Sequence, residues 1–82
     1  MAQQKKKGDR RMKAKIRLDT MSEIKTFVDI VSTVKDKVYL TDEDGHCVSA
    51  KSIMGVLYSF EWNNIYCHCD KDISGLILKW IV

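Results

Sequence analysis

No stretch of this sequence reaches the ~18–20 uninterrupted apolar residues of a membrane-spanning helix, which excludes the helical transmembrane classes. The basic N-terminal run is not followed by an apolar core, so no secretory signal peptide is expected. Cysteine is scarce and odd in number: there are three, where a disulfide-stapled secreted domain carries four, six or eight. Reduced thiols and a cytoplasmic location are the expectations. No internal repeat is visible, and no low-complexity segment beyond the N-terminal tail. At 82 residues there is no room for a second domain, because chains give about one compact domain per 100–200 residues. Nor does the sequence bring together a base, a nucleophile and oxyanion donors, so neither an enzyme nor a cofactor is expected. What is present, 45% hydrophobic and 30% charged residues, is the ordinary composition of a globular domain.

The net charge of +3 conceals an asymmetry. In residues 1–17, Lys5, Lys6, Lys7, Arg10, Arg11, Lys13, Lys15 and Arg17 stand against Asp9 alone, a net +7. Residues 18–82 hold six lysines and ten acidic residues, a net −4. Residues 1–12 lack hydrophobic periodicity and cannot bury enough apolar surface to offset chain entropy. They are expected to form a disordered basic arm ahead of a domain spanning 13–82, close to the smallest size at which a hydrophobic core suffices without staples. Such an arm attracts phosphates, but no aromatic residue is interleaved in it to stack on bases. Its simplest role is a solubilising tail.

Within the domain, Ala14, Ile16 and Leu18 alternate with Lys13, Lys15 and Arg17, the period of a strand with one wet face. From Ser22 to Val34 the apolar residues Ile24, Phe27, Val28, Val31 and Val34 fall on one helical stripe. Thr20 and Glu23, three apart, form a capping pair at its start. Val38 and Leu40 then alternate with Tyr39 and Thr41, and Asp42-Glu43-Asp44-Gly45 leads into a strand through Val48 and Ala50, which predicts a hairpin. Ser52 is placed to cap a short helix through Leu57, although Gly55 lowers its propensity. Ile65, Cys67 and Cys69 alternate with Tyr66, His68 and Asp70 in a last strand. Ile73, Leu76, Ile77, Trp80 and Ile81 then repeat at helical spacing after Asp70 or Asp72, which predicts a third helix. The order is β-α-β-β-α-β-α, an α+β fold in two layers. The core is expected to hold Phe27, Val28, Val31, Ile65, Cys67, Leu76, Ile77 and Trp80.

Cys67-His68-Cys69 invites a metal reading, since thiolate and imidazole are zinc ligands. In a strand, however, the two cysteines share one face while His68 points to the other, so the three cannot converge on one ion. Both cysteines are read as core packing, with no metal site, and His68 as a wet-face residue. Cys47 has the opposite parity to Val48 and is expected to be exposed, without a neighbouring base to activate it. His46 reads as a solvated polar side chain in an acidic turn.

The heptapeptide Ala50-Lys51-Ser52-Ile53-Met54-Gly55-Val56 resembles the signature around the regulatory serine of the histidine-containing phosphocarrier protein, HPr, of the bacterial sugar phosphotransferase system. Element order and sizes are also similar to that family over about residues 13–82. The resemblance implies an open-faced β-sandwich: a four-stranded antiparallel sheet covered on one face by three helices. It also implies that Ser52 is a site for a regulatory serine kinase, with Ile53, Met54 and Leu57 docking partner proteins.

The family's phosphorylated histidine, at the start of the first helix and followed by an arginine and a proline, has no counterpart here. Thr20 stands at the histidine position, Ser22 at the arginine and Glu23 at the proline, and a one-residue slip would substitute Met21. The chain is also about two residues short between Val56 and Ile65, where Phe60-Glu61-Trp62-Asn63 replaces a glycine-containing turn. A threonine ester does not give up a phosphoryl group as a phosphoimidazole does. The expected function is therefore that of a noncatalytic HPr-like regulatory or protein-binding module, similar to the catabolite-repression HPr-like proteins. Its expected partner is another protein of the phosphotransferase or catabolite-regulation system. The alternative is an adaptor that binds nucleic acid or an anionic surface through the basic arm.

Overall fold

A computed structural model describes residues 12–82. The disorder expected of the basic arm falls on residues that lie, Met12 apart, outside this range. The elements are strand β1 (Met12–Ile16), helix α1 (Met21–Val31), strands β2 (Val38–Thr41) and β3 (Cys47–Ser49), helix α2 (Ile53–Ser59) and strand β4 (Ile65–Cys69). They form an α+β fold with one four-stranded antiparallel sheet in the order β1-β4-β2-β3. Met12 belongs to β1, one residue ahead of the expected domain boundary.

The period-two alternation of the strands separates two faces. Ala14, Cys67, Leu40 and Val48 stand in one cross-sheet row on the helix side, where Cys67 and Leu40 are buried in the core and Val48 packs against it. Lys13, His68, Tyr39 and Ser49 form the next row on the open face, followed by Lys15, Tyr66, Thr41 and Cys47. Cys67 and Cys69 are buried, as their parity requires, and Cys47 is exposed.

Helix α1 buries Ile24, Phe27, Val28 and Val31. It ends at Val31 and not at Val34, which is half-buried in the turn beyond. Thr20 caps it by accepting the Glu23 N–H at 3.1 Å, and Glu23 in return accepts the Asp19 N–H at 2.7 Å. Phe27 meets Trp80 edge-on, with centroids 5.4 Å apart, a favourable aromatic geometry that joins α1 to the C-terminal segment.

The third helix predicted over Ile73–Ile81 is not formed. Its backbone closes i→i+3 hydrogen bonds, Leu76 to Ile73, Ile77 to Ser74, Trp80 to Ile77 and Ile81 to Leu78, with a single 3₁₀ turn at Leu78–Trp80. Two causes are visible. Gly75 weakens helical propensity, and the end of the chain is drawn out to pair with β1, where Ile16 and Ile81 form a bridge and Val82 N–H donates to the Lys15 carbonyl. Ile73, Ile77 and Trp80 still reach the core, but Leu76, expected there, is 49% exposed, because tighter turns break the continuous α-helical stripe.

Candidate functional site

The N-terminus of α2 carries the residues of the heptapeptide. Ser52 adopts an extended conformation and its Oγ accepts the Gly55 N–H at 3.1 Å, an N-cap. Behind it, Lys51 donates from Nζ to the Val34 carbonyl and ties the entry of α2 to the segment that follows α1. Val56 and Ser59 face inward, with Ser59 Oγ donating to the Val56 carbonyl at 2.7 Å. Exposed apolar side chains stand beside and opposite this pair: Ile53, one turn before Val56, is 40% accessible, and Met54, on the far side, 78%. Leu57 is half-buried against the core and offers only part of its surface. Tyr58 was not among the sequence candidates, but it is exposed and follows Met54 at i+4, so the two lie on one helix face. That spacing was the signal available in the sequence.

Thr20, Ser22 and Glu23, the residues that the resemblance sets against the phosphocarrier site, lie at the other helix start. The Thr20 hydroxyl and the Glu23 carboxylate satisfy backbone N–H groups of that end themselves, and Ser22 is exposed. Arg17 Nε reaches Asp19 at 3.2 Å, an exposed pair. An incoming phosphate therefore meets two carboxylates where the helix dipole would otherwise favour an anion.

At the far end of α2 the structure forms a cleft that sequence reasoning missed. It has a volume of about 310 Å³ between the β2–β3 turn and the α2–β4 loop, with Asp42, Glu43, Asp44, His46, Tyr58, Glu61 and Trp62 in its walls. Gly45, at φ 95°, lets the β2–β3 turn close. Asp42 organises that turn: one carboxylate oxygen accepts the N–H groups of Asp44 and His46, each at 2.9 Å, and the other meets His46 Nδ1 at 2.7 Å. Burial opposes the charge on Asp42, but these hydrogen bonds outweigh it and hold the carboxyl below its usual range.

His46 is thus not merely a solvated side chain. Its ring stacks on Trp62, with centroids 5.7 Å apart, and Tyr58 closes against both. Asp42, Asp44 and His46 offer possible ligand atoms within 4.8 Å of one another. The hydrogen bonds of Asp42 within the turn account for that cluster without an ion. Glu43 accepts hydrogen bonds from Tyr66 Oη at 3.0 Å and Asn64 Nδ2 at 3.2 Å, which fastens the turn to β4 and pushes the Tyr66 phenol above its usual range.

On the core face, burial and the neighbouring Cys69 push the Cys67 thiol up to about 12, so it stays protonated. Among the described residues no helix is long and apolar enough to cross a membrane. Comparison with protein-family models, with curated proteins and with solved structures found no match.

Proposed function

We propose that this chain is a noncatalytic HPr-like module of the phosphotransferase family, which binds partner proteins through the exposed face of α2 and is regulated at Ser52. The supporting observation is a serine cap followed directly by an exposed isoleucine and methionine, with Tyr58 exposed one turn after the methionine. Methionine at such a face adapts its shape to different partners. Two further features agree: the order β-α-β-β-α-β with an antiparallel sheet, and a first helix whose start bears Thr20, Ser22 and Glu23 in place of a phosphate-accepting histidine. A phosphate on Ser52 would add a charge of about −1.5 to −2 where the α2 N–H groups favour an anion, so the fold persists while the adjoining apolar face becomes anionic.

Incubation with the family's bifunctional serine kinase and ATP tests the reading. One phosphate is expected on Ser52 by mass spectrometry, and none on Ser52→Ala. Met54→Glu is expected to slow the transfer while leaving thermal melting unchanged, since Met54 is exposed. No phosphate on Ser52 would overturn the regulatory role. An acid-labile adduct on His46 or His68 after incubation with the upstream phosphotransferase enzyme and phosphoenolpyruvate would overturn the noncatalytic one.

A further inference from the structure

Strand pairing assembles on the open face of the sheet a combination that the linear sequence disperses. Lys13, His68, Tyr39 and Ser49 come from four different strands and lie in one cross-sheet row. The two central rings are stacked in parallel, with centroids 4.8 Å apart and planes within 3°. The His68 Nε2 is held at 2.7 Å from Thr41 Oγ1, which fixes the ring in that position. His68 covers one side of the Tyr39 ring. On the other side stands Ser49, small and exposed on the edge strand. A hollow of about 480 Å³ opens there, lined by Lys37, Tyr39, Cys47 and Ser49 with one carboxylate, Asp70, at its wall, so it suits the uncharged base and leaves the phosphates to the lysines.

The opposite side of the stack is basic. Lys13 and Lys15 are exposed on β1, and the Lys13 ammonium lies 5.0 Å from the centre of the Tyr66 ring. In sequence, β1 directly follows Lys5, Lys6, Lys7, Arg10 and Arg11. Asp42, Glu43 and Asp44 gather in the turn beyond Thr41, and of these Glu43 reaches back to the Tyr66 hydroxyl at 3.0 Å in the next row.

From these observations we infer that the open face binds single-stranded nucleic acid across the strands. One base extends the His68–Tyr39 stack over Ser49, and phosphates rest on Lys13 and Lys15. Every base has a π-face, so stacking on a flat ring is sequence-tolerant, whereas lysines recognise the phosphodiester by charge. Three strand spacings span roughly 14 Å from β3 to β1, so one short stretch of chain meets the stack and the lysines together. The acidic turn repels the backbone and keeps it on the side of Lys13 and Lys15. Base faces and phosphates are the groups contacted, so RNA and DNA are expected to bind alike. A duplex, with its bases already stacked in pairs, is excluded from the Tyr39 face. The arm alone lacks aromatic residues, and the folded face supplies them.

The test is fluorescence anisotropy of the full chain with labelled oligouridylate and oligothymidylate of about ten nucleotides, a length within the range for single-strand binding folds. Both are expected to bind, more tightly than a duplex of equal length or a base-free polyphosphate. Tyr39→Ala is expected to weaken binding by about tenfold or more, and Tyr39→Phe to restore it. Ser49→Ile fills the space over the ring from an exposed position that suits a β-branched residue, and should weaken binding several-fold in a protein that still folds, although it gives up the hydrogen bond that Ser49 Oγ accepts from the Lys51 N–H at 3.2 Å. Replacing Lys13 and Lys15 by glutamine should lower the log–log salt slope by roughly 0.7 for each lysine. Polyphosphate binding equal to that of the oligonucleotides, or full affinity in folded Ser49→Ile, would overturn the inference and leave a charge-only contact through the arm. Absence of binding at low salt would overturn it outright.

Discussion

Gly55 lies so close to β3 that a Cβ on it would sit 3.1 Å from the Ser49 carbonyl oxygen and 3.2 Å from Val48 Cβ. A glycine inside a seven-residue helix costs about 1 kcal/mol of propensity relative to alanine, and here that loss permits α2 to seat against the sheet. Gly55→Ala is therefore expected to lower stability in spite of its better propensity, because a backbone carbonyl has little freedom to yield. Gly55→Val should cost more, in the ~1–3 kcal/mol range of overpacking. Urea denaturation measures both, and an alanine variant more stable than wild type would show that α2 can move off β3.

The C-terminal segment makes a contrasting pair. Trp80 is buried edge-on to Phe27, so Trp80→Ala should cost ~3–5 kcal/mol and leave little of the stability of a small domain. Leu76→Ala should change stability by no more than ~0.5 kcal/mol, because its side chain is turned to solvent. If the two variants were equally destabilised, an α-helix over Ile73–Ile81 would be the better description.

The three cysteines should separate by reactivity. In the native protein a thiol reagent is expected to modify Cys47 rapidly, while Cys67 and Cys69 react only after unfolding. The raised Cys67 thiol reinforces this, since the thiolate is the nucleophile. Counting modified thiols before and after denaturant checks it, and rapid native labelling of Cys67 would mean that the helices do not cover β4.

Acid should act through His68. Burial, followed by the nearby Lys13, lowers its affinity for a proton in the fold below the ordinary value of 6.5. The unfolded chain then binds more protons than the folded one as pH falls through about 6.5, so stability decreases from pH 7 toward pH 5. Urea midpoints across that interval are expected to fall in wild type and to fall less in His68→Gln.

Local patterning made much of the fold legible. The period of two in Ala14-Lys15-Ile16 and in Ile65–Cys69 identified which side chains enter the core, and it correctly separated Cys67 and Cys69 from His68. The capping pair Thr20–Glu23 and the cap at Ser52 were visible because a cap needs only residues within the first helical turn. Leu76 was misread because its spacing fits an α-helix, whereas the pairing of Ile81 and Val82 with β1, a contact more than sixty residues away in sequence, pulls the segment into tighter turns.

The sequence by itself determined the two-layer α+β architecture, most of the core and the absence of a histidine at the start of α1, since each depends on residue type and short-range period. Tertiary structure alone decided what shares a surface. His46, Tyr58 and Trp62 meet because the β2–β3 turn folds against the end of α2. Tyr39 and His68 stack beside Lys13 because β4 is inserted between β1 and β2. Strand order is set by how helices and sheet bury their apolar faces together, and no local pattern encodes which strands become neighbours.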